Sequence, residues 1–244
     1  MSKLRTLALA VAVVAGSGAA ARATVVINET FSYPDGNLVG HGAWTAHSAA
    51  GSMPVQVTGG HAVLNQGAGS REDVNDAFTA LSAGGTMFAG FDFTNTGDTA
   101  NVYFAHFLVN SSVFHDRLWV TAPSSGGNYG IGFGDGASIA SAWASDLTFG
   151  TTYRAVIELD FDTLSEHLWI NPVDQTSTNL SVTGSGSGAI VGFAMRQATG
   201  ATSTQTVDNL IVATTFSEAL GVPSPASAAL LALGGLIGSR RRRS

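Results

Sequence analysis

Glu158-Leu159-Asp160-Phe161-Asp162 places three carboxylates within five residues. Side chains alternate between faces along an extended strand, so acids at i, i+2 and i+4 share one face. Retaining glycoside hydrolysis uses two carboxyl groups about 5 to 5.5 Å apart, the scale of neighbouring same-face positions. The competing reading starts from Asp162 and Thr163, where a turn is expected, because an Asp carboxylate readily accepts hydrogen bonds from backbone N–H groups of a turn. The turn carries more weight. Glu158, Asp160 and Asp162 are therefore expected to line a solvated strand face that runs into a hairpin, and the chain is expected to be non-catalytic.

Other chemistry is sparse. There is no cysteine, so neither thiol catalysis nor a disulfide is available. Six histidines (His41, His47, His61, His106, His115 and His167) are scattered without metal-ligand spacing, and packing or surface roles are expected for them. No Gly-x-Ser-x-Gly elbow or phosphate loop occurs, and Gly130-Ile131-Gly132-Phe133-Gly134 lacks the strand-to-helix context of a dinucleotide site. Trp44, Trp119, Trp143 and Trp169 are of a type that stacks on sugar rings, but tryptophan is as much at home in a sandwich core, and core packing is favoured for each.

The elements that would carry these residues read as strands. Alternating or apolar runs appear at Met87–Phe93, Val102–Val109 and Tyr153–Phe161, rich in Val, Phe and Tyr. Leu164–Ile170 is a second run that stops at Asn171-Pro172, so residues 153–172 are expected to form a hairpin whose return strand proline ends. The 30 glycines fall largely in turns such as Gly59-Gly60 and Gly126-Gly127, and Gly184–Gly188, alternating with serine, reads as a flexible loop. With 45% hydrophobic and 11% charged residues the chain can bury a substantial core.

Charge is unevenly spread. Lys3, Arg5, Arg22 and Arg240–Arg243 lie at the ends, leaving Arg71, Arg117, Arg154 and Arg196 among seventeen acidic residues, a balance that repels a phosphate backbone and argues against nucleic acid. The ends themselves are informative. A basic start, an apolar Leu7–Ala15 and a small-x-small site at Ala21-Arg22-Ala23 read as a signal peptide over residues 1–23, with export expected. After Val222-Pro223-Ser224-Pro225 comes an uncharged run, Ala226–Gly238, and then Arg240, Arg241, Arg242 and Arg243, which the positive-inside bias would hold in the cytoplasm. This tail, residues 222–244, resembles the PEP-CTERM sorting signal of exosortase-processed bacterial proteins, except that Ser224 replaces the motif's acidic residue. The resemblance implies exosortase-type machinery as a partner, membrane contact through the tail, and a location in the cell envelope or at the extracellular surface.

Between the ends, residues 24–221 are expected to form one β-sandwich domain. Three segments, Glu29–Gly36, the Tyr153–Pro172 hairpin and Val207–Val212, resemble in order and spacing the concanavalin A-like, LamG-type jelly rolls. That resemblance implies an all-β fold of two packed antiparallel sheets with the first and last strands adjacent. It also implies a structural calcium, with Glu29 and Asp208 as its ligands. The Glu158–Asp162 segment resembles the Glu-x-Asp-x-Glu signature of laminarinase-like glycoside hydrolases, with Asp162 standing where the acid/base glutamate belongs. The reading is a non-catalytic sandwich that binds or organises extracellular polysaccharide; a glycoside hydrolase or a purely structural envelope protein are the alternatives. Paired carboxylates in a cleft would favour the enzyme, and an aromatic platform would favour sugar binding.

Overall fold

The computed structural model describes residues 24–81, 85–97, 101–110, 112–184 and 188–222. The expected signal peptide, Pro223, Pro225 and Arg240–Arg243 lie outside these residues, as does part of the Gly184–Gly188 loop; Val222 is described and half exposed. Among the described residues no helix is long and apolar enough to cross a membrane.

The chain runs through β1 (Val25–Glu29), β2 (Gly36–Asn37), β3 (Trp44–Ser48), β4 (Gln56–Thr58), β5 (His61–Asn65), β6 (Asp73–Leu81), β7 (Thr86–Thr96) and β8 (Val102–Leu108). It continues through β9 (Phe114–Thr121), β10 (Gly130–Gly134), β11 (Ser141–Ala142), β12 (Tyr153–Asp160), β13 (Ser165–Ile170), β14 (Asn179–Thr183), β15 (Ile190–Met195), β16 (Thr204–Ala213) and the single-turn α1 (Phe216–Ala219). Two antiparallel sheets result. One has nine strands in the order β14-β13-β12-β7-β16-β5-β4-β2 with β1 also on β16, and the other has seven, β11-β10-β9-β8-β15-β6-β3. The fold is thus the all-β, two-sheet antiparallel jelly roll that the strand pattern and the resemblance implied, with the opening strand against the closing one (Glu29 opposite Leu210). The hairpin of β12 and β13 is present too, with Leu159 opposite Glu166 and Ala155 opposite Ile170.

Alternation explains the core. Inward-facing aromatic residues of β7 meet those of the facing sheet: Phe91 lies 5.5 Å from Phe193, and Phe93 lies 5.7 Å from Phe104 between ring centroids. All four are fully buried or nearly so, and each such side chain contributes about 1.5–3 kcal/mol of burial. A smaller cluster sits on the outer side of the nine-stranded sheet, where Phe88, Val156 and Trp169 are covered by Phe216 of α1. That helix docks directly on Gly90, because a β-carbon there would run into the Ala219 carbonyl.

Candidate functional site on the outer face of the seven-stranded sheet

β8 and β9 pair with Tyr103 opposite Trp119. Phe104 and Phe107 point into the core, which leaves Tyr103 and His106 on the outer side of β8. Here they gather a patch of rings: Tyr103 is 5.0 Å from Trp119 and 5.5 Å from His106, and His106 is 4.4 Å from Phe114. Two cations complete it. The Arg196 guanidinium lies 4.2 Å from the Tyr103 centroid, and that of Arg117 lies 4.9 Å from Tyr103 and 5.2 Å from Phe114. Such stacking holds a guanidinium by its π face while leaving its N–H edge to meet a ligand.

The strands explain how the patch forms. Arg117 projects outward from β9, and its Nη1 donates to the Gly136 carbonyl at 2.6 Å. Arg196 follows β15 directly, fixed by its backbone N–H to the Phe104 carbonyl at 2.9 Å. The β15–β8 register sets Ala194 beside His106. His106 is fully buried beneath the patch, and burial, aided by His47, Arg117 and Arg196, pushes its pKa down to about 3. It is therefore neutral at physiological pH, with Nδ1 placed to donate to the Phe107 carbonyl at 3.1 Å and Nε2 without a partner among the described residues. No described carboxylate pairs with Arg117 or Arg196, whereas Arg154 on the other sheet is tied to Asp92 at 3.3 Å.

The residues singled out from the sequence lie elsewhere. Glu158 is nearly buried on the outer side of β12, with its Oε2 3.4 Å from His167 Nδ1. Burial first, and Asp160 second, push its pKa up to about 7. Asp160 has left the strand's chemistry for the turn: its Oδ1 accepts from Asp162 N–H at 2.8 Å and Thr163 N–H at 3.0 Å. Asp162 accepts from Gly85 N–H at 3.3 Å. Asp160 thus caps the hairpin turn while its charge still reaches Glu158, and Asp162 ties the turn to the start of β7.

Glu29 and Asp208 sit on adjacent strands but on opposite faces, so the expected calcium pair does not assemble. Glu29 points inward, where its carboxylate accepts from Phe31 N–H at 2.6 Å, the Tyr33 hydroxyl at 2.7 Å and the Trp44 indole at 3.1 Å. Asp208 points outward, 3.2 Å from His61 Nδ1 and opposite Asp92. The β16 bulge that follows Asp208, with Asn209 at φ +49°, separates the outward Asp208 from the inward Leu210. Of the tryptophans, Trp44 and Trp169 are packed away and Trp143 leans on the core, while Trp119 lies in the ring patch.

Local pattern does not mark this patch, because its residues come from β8, β9 and the end of β15. One signal was present: in a central region with four arginines, two fall on or beside strands of one sheet. A second group was also hidden, the inward-facing His115, Asp135 and Glu166, whose ligand atoms converge between the sheets in a way that could hold a metal ion. His115 is buried, and it faces the carboxyl groups of Asp135 and Glu166.

No protein-family model matches the chain, and no curated protein sequence matches it. Solved structures do. The CBM2 module of the Lactobacillus casei BL23 phage J-1 evolved Dit is similar with a TM-score of 0.51 and 11% identity, over 79% of this chain and 96% of that one. A sialidase is similar with a TM-score of 0.51 and 14% identity over 78% of this chain, which spans only 19% of the sialidase. At these identities the likeness is one of fold alone.

Proposed function

We propose that this is an exported, non-catalytic β-sandwich protein that binds extracellular acidic polysaccharide through the outer face of its seven-stranded sheet. One observation carries the reading: Arg117 and Arg196 are stacked on Tyr103 with no described carboxylate to neutralise them, in a domain where acids far outnumber bases. A pre-positioned pair of guanidiniums suits carboxylate or sulfate groups, which accept bidentate, charge-assisted hydrogen bonds. The half-buried Phe114 supplies apolar surface that a sugar ring covers, while the buried Trp119 braces Tyr103 from its side. A shared fold with a CBM2 module is compatible with this use and does not by itself decide it.

Delivery rests on the ends of the sequence: residues 1–23 direct export, and the Pro223/Pro225 segment with Arg240–Arg243 hands the chain to exosortase-type machinery at the membrane. The hydrolase alternative is weakened by the turn roles of Asp160 and Asp162. The reading is tested by titrating the purified protein with a polyuronate and with a neutral β-glucan by calorimetry. Saturable binding of the polyuronate without release of reducing ends supports it. No binding, or chain cleavage, overturns it.

A further inference from the structure

Between the sheets lies a group of charged side chains that takes no part in the outer patch. His115 and Asp116 are consecutive on β9, yet both are buried, at 1% and 0% exposure. A bulge makes this possible. The pairings Ala105 with Leu118 and Phe107 with His115 set one more residue on β9 than on β8, and Asp116 adopts φ +54°. An extra left-handed residue lets two successive side chains turn inward while Arg117 still reaches the outer patch. Glu166, fully buried on β13 of the opposite sheet, and Asp135, just past β10, meet them.

Their ligand atoms crowd about one point. His115 Nδ1 is 2.6 Å from Asp135 Oδ1 and 3.4 Å from Glu166 Oε1, and the three ligand atoms lie within 4.8 Å of one another. Ligands about 2.0–2.2 Å from a common ion are separated by roughly 3–4 Å, so His115 and Glu166 are already spaced as co-ligands, while His115 and Asp135, now at hydrogen-bond distance, would move apart to admit an ion. The Asp116 and Glu166 carboxyl groups lie against one another, both fully buried, and apart from the 3.4 Å approach of His115 Nδ1 to Glu166 Oε1 neither meets a backbone N–H or a cation among the described residues. An imidazolium–carboxylate pair would account for His115 and Asp135. It leaves Glu166 and Asp116 as two buried, adjoining carboxyl groups that share one long imidazole contact, a costly arrangement unless a further positive charge joins them.

We propose that His115, Asp135 and Glu166, with Asp116 as a further oxygen ligand, bind one divalent transition-metal ion of the zinc or manganese type. The imidazole among carboxylates selects this class over calcium, which takes six to eight oxygens at longer distances. The ion would join β9 and the β10 end of one sheet to β13 of the other, a cross-link in a chain with no cysteine. Gly184 closes over the site, since a β-carbon there would lie 2.6 Å from Glu166 Oε1. The site is independent of sugar binding.

The test uses tag-free, full-length protein stripped with a chelator and exchanged into chelator-free buffer. It is titrated with Zn²⁺, Mn²⁺ and Ca²⁺ separately, with bound metal counted by elemental analysis and melting followed by calorimetry. One equivalent of zinc or manganese, with a higher melting temperature, is expected. Glu166→Gln and Asp116→Asn keep the side-chain shapes and relieve charge repulsion, so the metal-free variants should fold, while affinity falls about tenfold or more. The proposal is overturned if neither zinc nor manganese binds stoichiometrically, if calcium alone binds, or if both variants bind as the wild type does.

Discussion

The Arg196 guanidinium rests on the ring of Tyr103, 4.2 Å from its centroid, and Arg117 approaches the same ring to 4.9 Å. One tyrosine therefore organises two cations that start from different strands. Among the described residues the cations have no carboxylate partner, which leaves their charge directed to whatever meets the face.

Replacing Tyr103 by leucine should release both guanidiniums. Each cation–π contact at a partly exposed site is worth about 0.5–1 kcal/mol, so a stability loss of about 1–2 kcal/mol is expected from denaturant unfolding. Polyuronate affinity should fall as well, because the arginines must then be ordered on binding. Unchanged affinity in the leucine variant would remove Tyr103 from the account.

Gly90 is the seat of α1. Its hydrogen is all that fits against the Ala219 carbonyl, and the same carbonyl accepts from Arg154 Nη2 at 2.5 Å. Gly90→Ala should displace the helix and expose Trp169 and Phe216, lowering stability by about 1–3 kcal/mol. A red shift of tryptophan emission and an earlier melt would report it.

Glu158 gives a pH signature. Its folded pKa, pushed up to about 7 from 4.5, means that the folded protein holds this proton more tightly than the unfolded chain does. The stability it contributes is complete below pH 4.5 and is lost as pH rises through about 7. Glu158→Gln should match the wild type near pH 4 and exceed it by about 1–3 kcal/mol at pH 8, as read from urea unfolding at both values. Glycan binding should be unaffected, since Glu158 belongs to the nine-stranded sheet.

The strands were legible where local pattern dictates them. Alternation marked β7 and β8, and the Asp162-Thr163 turn with its Asn171-Pro172 stop marked the hairpin. The two groups of interest were not legible, for different reasons. Tyr103, Arg117 and Arg196 become neighbours only through the β8–β9 and β15–β8 pairings. His115 and Asp116 were obscured by the bulge, because simple alternation would have put them on opposite faces, and no glycine marks the left-handed residue. Glu29 and Asp208 show the reverse failure: the strands adjoin as expected, and pleat and bulge send the carboxylates apart.

Delivery makes a prediction of its own. The exported protein should begin at Thr24, which N-terminal sequencing reads directly, and neutralising Arg240–Arg243 should disturb its membrane retention without affecting folding. Recovery of only the Met1 form from the cytoplasm would contradict export.

The most direct test of the central claim is calorimetric titration of polyuronate into the wild type, Arg117→Ala and Arg196→Ala at two salt concentrations. A charge-assisted hydrogen bond is worth about 1.5–3 kcal/mol, so each variant should bind about tenfold or more weakly, and wild-type affinity should fall as salt screens the guanidiniums. Equal affinity in all three proteins, or binding indifferent to salt, would contradict the assignment of this face as the polysaccharide site.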